Sequence, residues 1–258
     1  MPGQNRILRP VALPFLLIAL MLSGCGKGKP ARVEQNGVSA FTVERRVLLG
    51  DGVAFGAAGP YEALFGRVSY ALDPSGSHNS RVTDIGFAAG PDRLVRYEAE
   101  AVLVKPVDLK RANGGLLYTV VNRGNFDTRL ADPAPWAALA SGPTGSGESL
   151  ARLMKQGFCL AFSGWQADLI DSPERLKLFA PEARENGAPM PGEALAEIES
   201  GEVTYQASLG DANHEAYPVD SQAADSAEMR IHSSHADPGT VIPRSEWRFA
   251  RIENGDTL

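Results

Sequence analysis

Between Phe41 and Lys105 apolar positions recur at every second residue. Val68, Tyr70 and Leu72 alternate with polar or small neighbours, and Val95, Tyr97, Ala99, Ala101 and Leu103 alternate with Arg96, Glu98 and Glu100. Successive side chains of a strand point to opposite faces, so the pattern predicts antiparallel strands with one wet face. Ala58-Gly-Pro60, Asp73-Pro-Ser-Gly76 and Gly90-Pro-Asp92 supply the turns between them. Residues 41–110 therefore read as a β-meander.

The pattern then changes. Gly115-Leu-Leu-Tyr-Thr-Val-Val-Asn-Arg-Gly124 and Gly157-Phe-Cys-Leu-Ala-Phe-Ser-Gly-Trp-Gln166 are short apolar runs ending in small and polar residues, as buried strands do where they feed functional loops. Leu150, Leu153 and Met154 recur at helical spacing, and Gly157 stands where a helix would stop. Strand, helix and strand over 115–166 predict a crossover unit with two parallel strands, a β-α-β unit. The Pro, Gly and Ser residues of Asp132–Pro135 and Ser141–Gly147 predict a surface loop ahead of that helix. The expected fold class is α/β.

Residues 167–258 are more polar. Ser172-Pro173-Glu174 predicts the start of a helix. Val203, Tyr205, Ala207 and Leu209 alternate as a strand, and Met229–His232 and Trp247–Ile252 are further strand candidates. Glu253-Asn-Gly-Asp256 reads as a hairpin turn whose partner strand is expected beyond it.

Charge narrows the partners. The 258 residues carry a net charge of −6 and a pI near 5.3. With no basic stripe to displace phosphate counterions, nucleic acid is excluded as an expected partner.

The first 25 residues read as a leader rather than as fold. Arg6 and Arg9 precede an apolar stretch from Val11 to Leu22, which is too short to span a bilayer and suits a secretory h-region. Leu22-Ser-Gly-Cys25 resembles a bacterial lipobox, which implies lipidation of Cys25 and anchoring in the cell envelope. An ordinary secretory signal or an uncleaved anchor is the alternative. Gly26, with no Asp in its place, points to the outer membrane, and residues 26–40 read as a flexible tether. Cys159, the only other cysteine, lies in an apolar run and reads as a small core hydrophobe.

Candidate chemistry is sparse. Asn122, Arg123 and Gly124 follow the first apolar run; the glycine permits close backbone approach, and the guanidinium could stabilise a developing oxyanion. The plain alternative is a turn with Arg123 held by a structural carboxylate. Trp165, Gln166 and Asp168 follow the second run and are pocket candidates, against a core tryptophan with a cap residue behind it. His232, His235 and Asp237 weakly resemble a metal site, but i and i+3 residues share a face only on a helix. No metal or cofactor is expected. Ser146 or Ser149 reads as a helix cap, and no serine sits in a G-x-S-x-G elbow.

Phe55-Gly-Ala-Ala-Gly-Pro-Tyr-Glu62, Leu72-Asp-Pro74 with Asn79, Tyr118-Thr-Val-Val-Asn-Arg-Gly124, and Gly157-Phe through Ser163-Gly-Trp-Gln166 with Asp168 together resemble a family of large bacterial α/β-hydrolase domain-containing proteins. The resemblance covers about residues 41–170 and implies an α/β-hydrolase-like sheet, here incomplete. It implies a serine esterase acting on a small ester-like substrate, with Asn122–Gly124 on the oxyanion side. In that fold the triad runs Ser, acid, His, so His78, His214, His232 and His235 would all precede the nucleophile. The chain is then expected to lack the triad. From another class, a non-catalytic envelope lipoprotein with a β-rich binding domain fits the same residues.

Overall fold

The computed structural model describes residues 36–141, 148–234, 236–250, 252–253 and 256–257. The leader, Cys25, the tether up to residue 35, Ser146 and His235 lie outside the described residues. Contacts divide the chain into Met1–Val33 and Glu34–Leu258, and every described residue belongs to the second unit.

Three long strands, β1 (Asn36–Leu48), β2 (Tyr61–Leu72) and β3 (Val95–Pro106), pair antiparallel in succession, as the alternation predicts. β1 begins inside the stretch assigned to the tether, so residues 36–40 belong to the sheet. Asn36 opens it by accepting hydrogen bonds from the Asp73 amide and the Asn79 side chain. Register shifts after Val38 and Val43 bend β1 over β2. Gly66 permits this, because a Cβ there would lie 1.9 Å from the Thr42 carbonyl oxygen.

Next come β4 (Leu116–Val120), α1 (Ala134–Ser141), α2 (Glu148–Lys155) and β5 (Cys159–Ser163). β4 and β5 are parallel, with Leu116 opposite Cys159 and Val120 opposite Ser163. β5 inserts between β3 and β4, giving the order β1-β2-β3-β5-β4. A short β6 (Leu178–Phe179) pairs with β3 alongside β5. The molecule is thus mixed α/β and β-rich, with a mixed sheet and two α-helices among the described residues.

α2 ends as the glycine predicts. The Gly157 amide donates to Met154 O at 2.9 Å and the Phe158 amide to Leu153 O at 3.1 Å, with Gly157 at φ +86°. This nested pair is a Schellman cap. Ser149 lies within α2 rather than capping it. The expected loop over 132–135 is instead the start of α1: Asp132 accepts the Ala134 amide at 3.0 Å, and Pro135 sits in the first turn, where its missing N–H costs nothing.

The core lies between the helices and one face of the sheet. Trp136, Ala151 and Met154 pack with Tyr61, Val102, Val104, Leu160 and Phe162. Trp136 is fully buried, and its indole N–H donates to Arg129 O at 2.7 Å. The helix-covered residues of β3 are Val102 and Val104, the parity opposite to Ala101 and Leu103, because the C-terminal half of β3 is apolar on both faces. Phe55 and Tyr61 meet edge to face, 5.4 Å between centroids, and the Tyr61 hydroxyl donates to Phe158 O. Phe55–Glu62 is therefore a packing element.

Three further expectations fail. Ser172–Arg175 is a turn, in which the Ser172 hydroxyl accepts the Glu174 amide; three residues later the chain returns to the sheet as β6. No strand forms over 203–209, where Val203 and Tyr205 are almost wholly exposed and no strand among the described residues pairs with them. Trp247–Ala250 is not a strand either: Trp247 and Phe249 pack edge to face with Arg244 stacked over Trp247. The Met229–His232 candidate forms β9 (Met229–Ile231), which pairs with β10 (Thr240–Ile242), after a small β7/β8 hairpin (Arg184–Glu185, Ala188–Pro189). The partner strand expected beyond the chain is found within it, since β11 (Ile252–Glu253) pairs antiparallel with β12 (Asp256–Thr257), while Asn254 and Gly255 of the expected turn lie outside the described residues. No helix among the described residues is long and apolar enough to cross a membrane.

Candidate functional site

The site forms where the parallel strands end. β4 runs into Val121, which is buried, and then into the tight turn Asn122–Gly124. Arg123 holds φ +52°, a left-handed conformation uncommon for a residue with a side chain. Gly124 follows at φ +73°, and a Cβ there would come within 2.8 Å of Leu169 and 2.9 Å of Arg175 and of the Leu176 carbonyl oxygen. Only glycine fits so close a crossing.

β5 leaves the sheet at Ser163 and returns at β6. The neck of this excursion is pinned by Glu100: its carbonyl accepts the Gly164 amide, its amide donates to Lys177 O, and its carboxylate accepts the Lys177 amide. A Cβ on Gly164 would lie 2.5 Å from the Leu176 carbonyl oxygen, so this glycine closes the neck. Trp165, Gln166 and Asp168 lie on the loop held in this way.

The two loops are laced together. The Trp165 indole N–H donates to Val121 O at 2.7 Å, the Arg123 amide donates to Gln166 Oε1 at 2.9 Å, and the Leu176 amide donates to Gly124 O at 2.8 Å. Trp165 is 52% exposed, a half-open wall rather than a core residue; Trp136 takes the core role. The Arg123 guanidinium is exposed and makes no ion pair or hydrogen bond with a described residue, so no structural carboxylate holds it. Its backbone N–H, however, is occupied by Gln166.

A segment that the sequence left unassigned completes the cluster. Residues 213–215 run alongside 168–170: the Ile170 amide donates to Asn213 O at 2.9 Å, and the Glu215 amide donates to Asp168 O at 2.8 Å. Tyr217 donates its hydroxyl to Asp168 Oδ2 at 3.1 Å, and burial, with the Asp168 carboxylate adding to it, pushes that phenol up. Arg175 reaches Asn213 Oδ1 at 2.9 Å. This places His214 with its Nε2 3.1 Å from Gln166 Nε2 and its Nδ1 2.9 Å from Asp211 Oδ2. The hydrogen bonds from His214, then from the Asn213 amide, bring the Asp211 carboxyl down to about 2.

The geometry joins Asn122–Gly124 with Trp165, Gln166 and Asp168, and adds Asp211, His214 and Tyr217, which sequence reasoning did not select. Triad order set His214 aside. The available signal was Asp211-Ala-Asn-His214, an Asp that caps the amides of Asn213 and His214 in a tight turn. That spacing foretells the turn but not the loop against which it packs.

Asp211 and His214 have the polarity of an acid–imidazole pair, yet the Nε2 lone pair points at Gln166 and not at a hydroxyl or thiol. Ser163 Oγ is buried and donates to Gly164 O at 3.2 Å. Burial raises the Cys159 thiol. Neither is poised as a nucleophile. No cluster of three metal-ligating side chains occurs among the described residues. Asp237 instead accepts the Ser233 amide and hydroxyl and the Gly239 amide, and its carbonyl faces His232 Nδ1. Asp73 and Asn79 likewise fasten a loop: Asp73 accepts from Ser75, and Asn79 donates to Asp73 O.

Two shallow hollows lie elsewhere, one beside Pro74, Val82 and Phe87, the other beside Leu94, Arg96 and Pro181. The Trp165 cluster is an open ledge. No family model, curated protein or solved structure matches the chain.

Proposed function

We propose that the chain is the N-terminal part of an α/β-hydrolase-like serine esterase, supplying the scaffold and the oxyanion-side wall of a site whose nucleophile comes from a further strand. The observation that carries this reading is the edge at β4. A parallel strand is stable when both faces are covered, but Leu116 is 60% exposed, Tyr118 54% and Val120 53% on one face, and Leu117 43% on the other. Apolar side chains on both faces suit a sheet that continues past β4. The strand beyond it would bring its C-terminal end beside Asn122–Gly124, as the strand with the serine elbow does in that fold.

In this role Arg123 contributes charge, Gly124 the close approach, and Trp165 an apolar wall for an ester-like substrate. The lipobox-like leader adds an envelope lipoprotein, tethered through lipid on Cys25 and facing the periplasm or exterior at the outer membrane. The occupied Arg123 N–H favours the other reading, a non-catalytic lipoprotein that binds a ligand or partner on the same ledge.

The reading frame after codon 258 separates the two. The esterase reading expects an apolar strand ending in G-x-S-x-G, followed by an acid and a histidine. A frame without that elbow overturns it and leaves the binding module.

A further inference from the structure

The hydrogen bonds through Gln166 have a direction that only one protonation state of His214 allows. Asp211, an acceptor at both oxygens, lies 3.0 Å and 2.9 Å from His214 Nδ1, so that nitrogen carries a proton. With its carboxyl held at about 2, Asp211 keeps this role down to strongly acid pH. In neutral imidazole Nε2 is then an acceptor, and the Gln166 NH2 donates a hydrogen bond to it at 3.1 Å. The other end of the same amide, Oε1, accepts the Arg123 N–H at 2.9 Å. One amide orientation satisfies both neighbours.

A second proton on the imidazole removes that solution. His214 Nε2–H then faces the Gln166 NH2, donor against donor. Turning the amide over gives His214 its acceptor but sets the NH2 against the Arg123 N–H. One of the two bonds must break, and the one to the charged imidazolium is the stronger.

We infer that His214 and Gln166 form a proton-operated latch on the Arg123 backbone N–H, shut when His214 is neutral and open when it is protonated. The titratable and charged groups around the latch are Asp211 on the same turn, Glu215 next to His214, Asp168 and Tyr217 across the pairing with 168–170, Arg175 on Asn213, and the Arg123 guanidinium at the far end. The latch does not depend on the esterase reading. If that reading holds, acidification frees a backbone donor on the oxyanion side.

The test is NMR on the isotope-labelled full chain, following the His214 imidazole and the hydrogen-exchange protection factor of the Arg123 amide across pH. The protection factor is expected to fall about tenfold as one hydrogen bond is lost, with the midpoint of the His214 titration. Gln166→Glu supplies two acceptor oxygens, which can serve imidazolium and amide together, so Arg123 should stay protected throughout. His214→Ala should make the amide independent of pH. An Arg123 amide that ignores the His214 titration in the wild type, or that still follows pH in Gln166→Glu, overturns the latch.

Discussion

Lys105 Nζ lies 2.6 Å from Glu62 Oε1, a pair set by the β2/β3 register in which the two residues stand opposite each other. Arg46 of β1 reaches the other carboxylate oxygen. Glu62 is 4% exposed, so its charge is carried by these two partners rather than by water.

Removing Glu62 should therefore be costly. Glu62→Ala leaves the partly buried Lys105 ammonium without a counter-charge, held only by the Pro106 carbonyl, while the exposed Arg46 can return to water. The expected loss is about 2–4 kcal/mol, toward the low side of breaking a buried pair, read from urea unfolding. Lys105→Met and Arg46→Ala should cost less, because each leaves Glu62 one partner.

The same site sets a pH dependence. Burial pushes the Glu62 carboxyl up, but the hydrogen bonds from Lys105 and Arg46 outweigh it and hold the group below its ordinary value. A lowered folded pKa means that the contribution is complete above the unfolded value of about 4.3 and fades as pH falls through the folded one. Wild-type stability should drop below about pH 4 more steeply than that of Glu62→Gln; parallel curves would contradict this.

The two tryptophans of the helical and loop regions should behave oppositely. Trp136→Ala empties a fully buried site and should cost about 3–5 kcal/mol. Trp165→Ala removes a half-exposed ring and one bond to Val121 O, and should cost about 1 kcal/mol. Thermal unfolding of both variants checks the order.

Gly124→Ala meets a positive φ and three contacts under 3.0 Å. It should lose about 1–3 kcal/mol of stability and weaken the Arg123–Gln166 bond, visible as faster exchange of the Arg123 amide. Gly192→Ala, where a Cβ meets nothing, is the neutral control.

An uncovered apolar edge strand invites pairing with other chains. Leu116→Lys with Tyr118→Lys should lower self-association in sedimentation experiments and change stability by no more than about 0.5 kcal/mol each, as exposed positions do. Loss of folding would mean that β4 is already covered.

The long strands and the crossover unit were legible because their periods are clean and Gly157 marks a helix end. α1 was masked by Pro135 in its first turn and Pro133 just before it, although Asp132 and Trp136 stood there as a cap and a buried anchor. Residues 203–209 alternate like a strand, but alternation stabilises nothing without a partner edge, and Tyr205 is left in solvent. In the site, both loops were visible as strand ends. Their lacing was not, since the Gln166 bonds to Arg123 and His214 join residues over 40 positions apart. Spacing alone carries no trace of such contacts.

Fluorophosphonate labelling of the polypeptide translated through the frame beyond Leu258, with the modified peptide mapped by mass spectrometry, tests the central proposal most directly. It predicts one labelled serine, beyond residue 258 and within a G-x-S-x-G elbow, and none among residues 1–258. A label on a serine of this chain, or no label at all on the extended polypeptide, would contradict it.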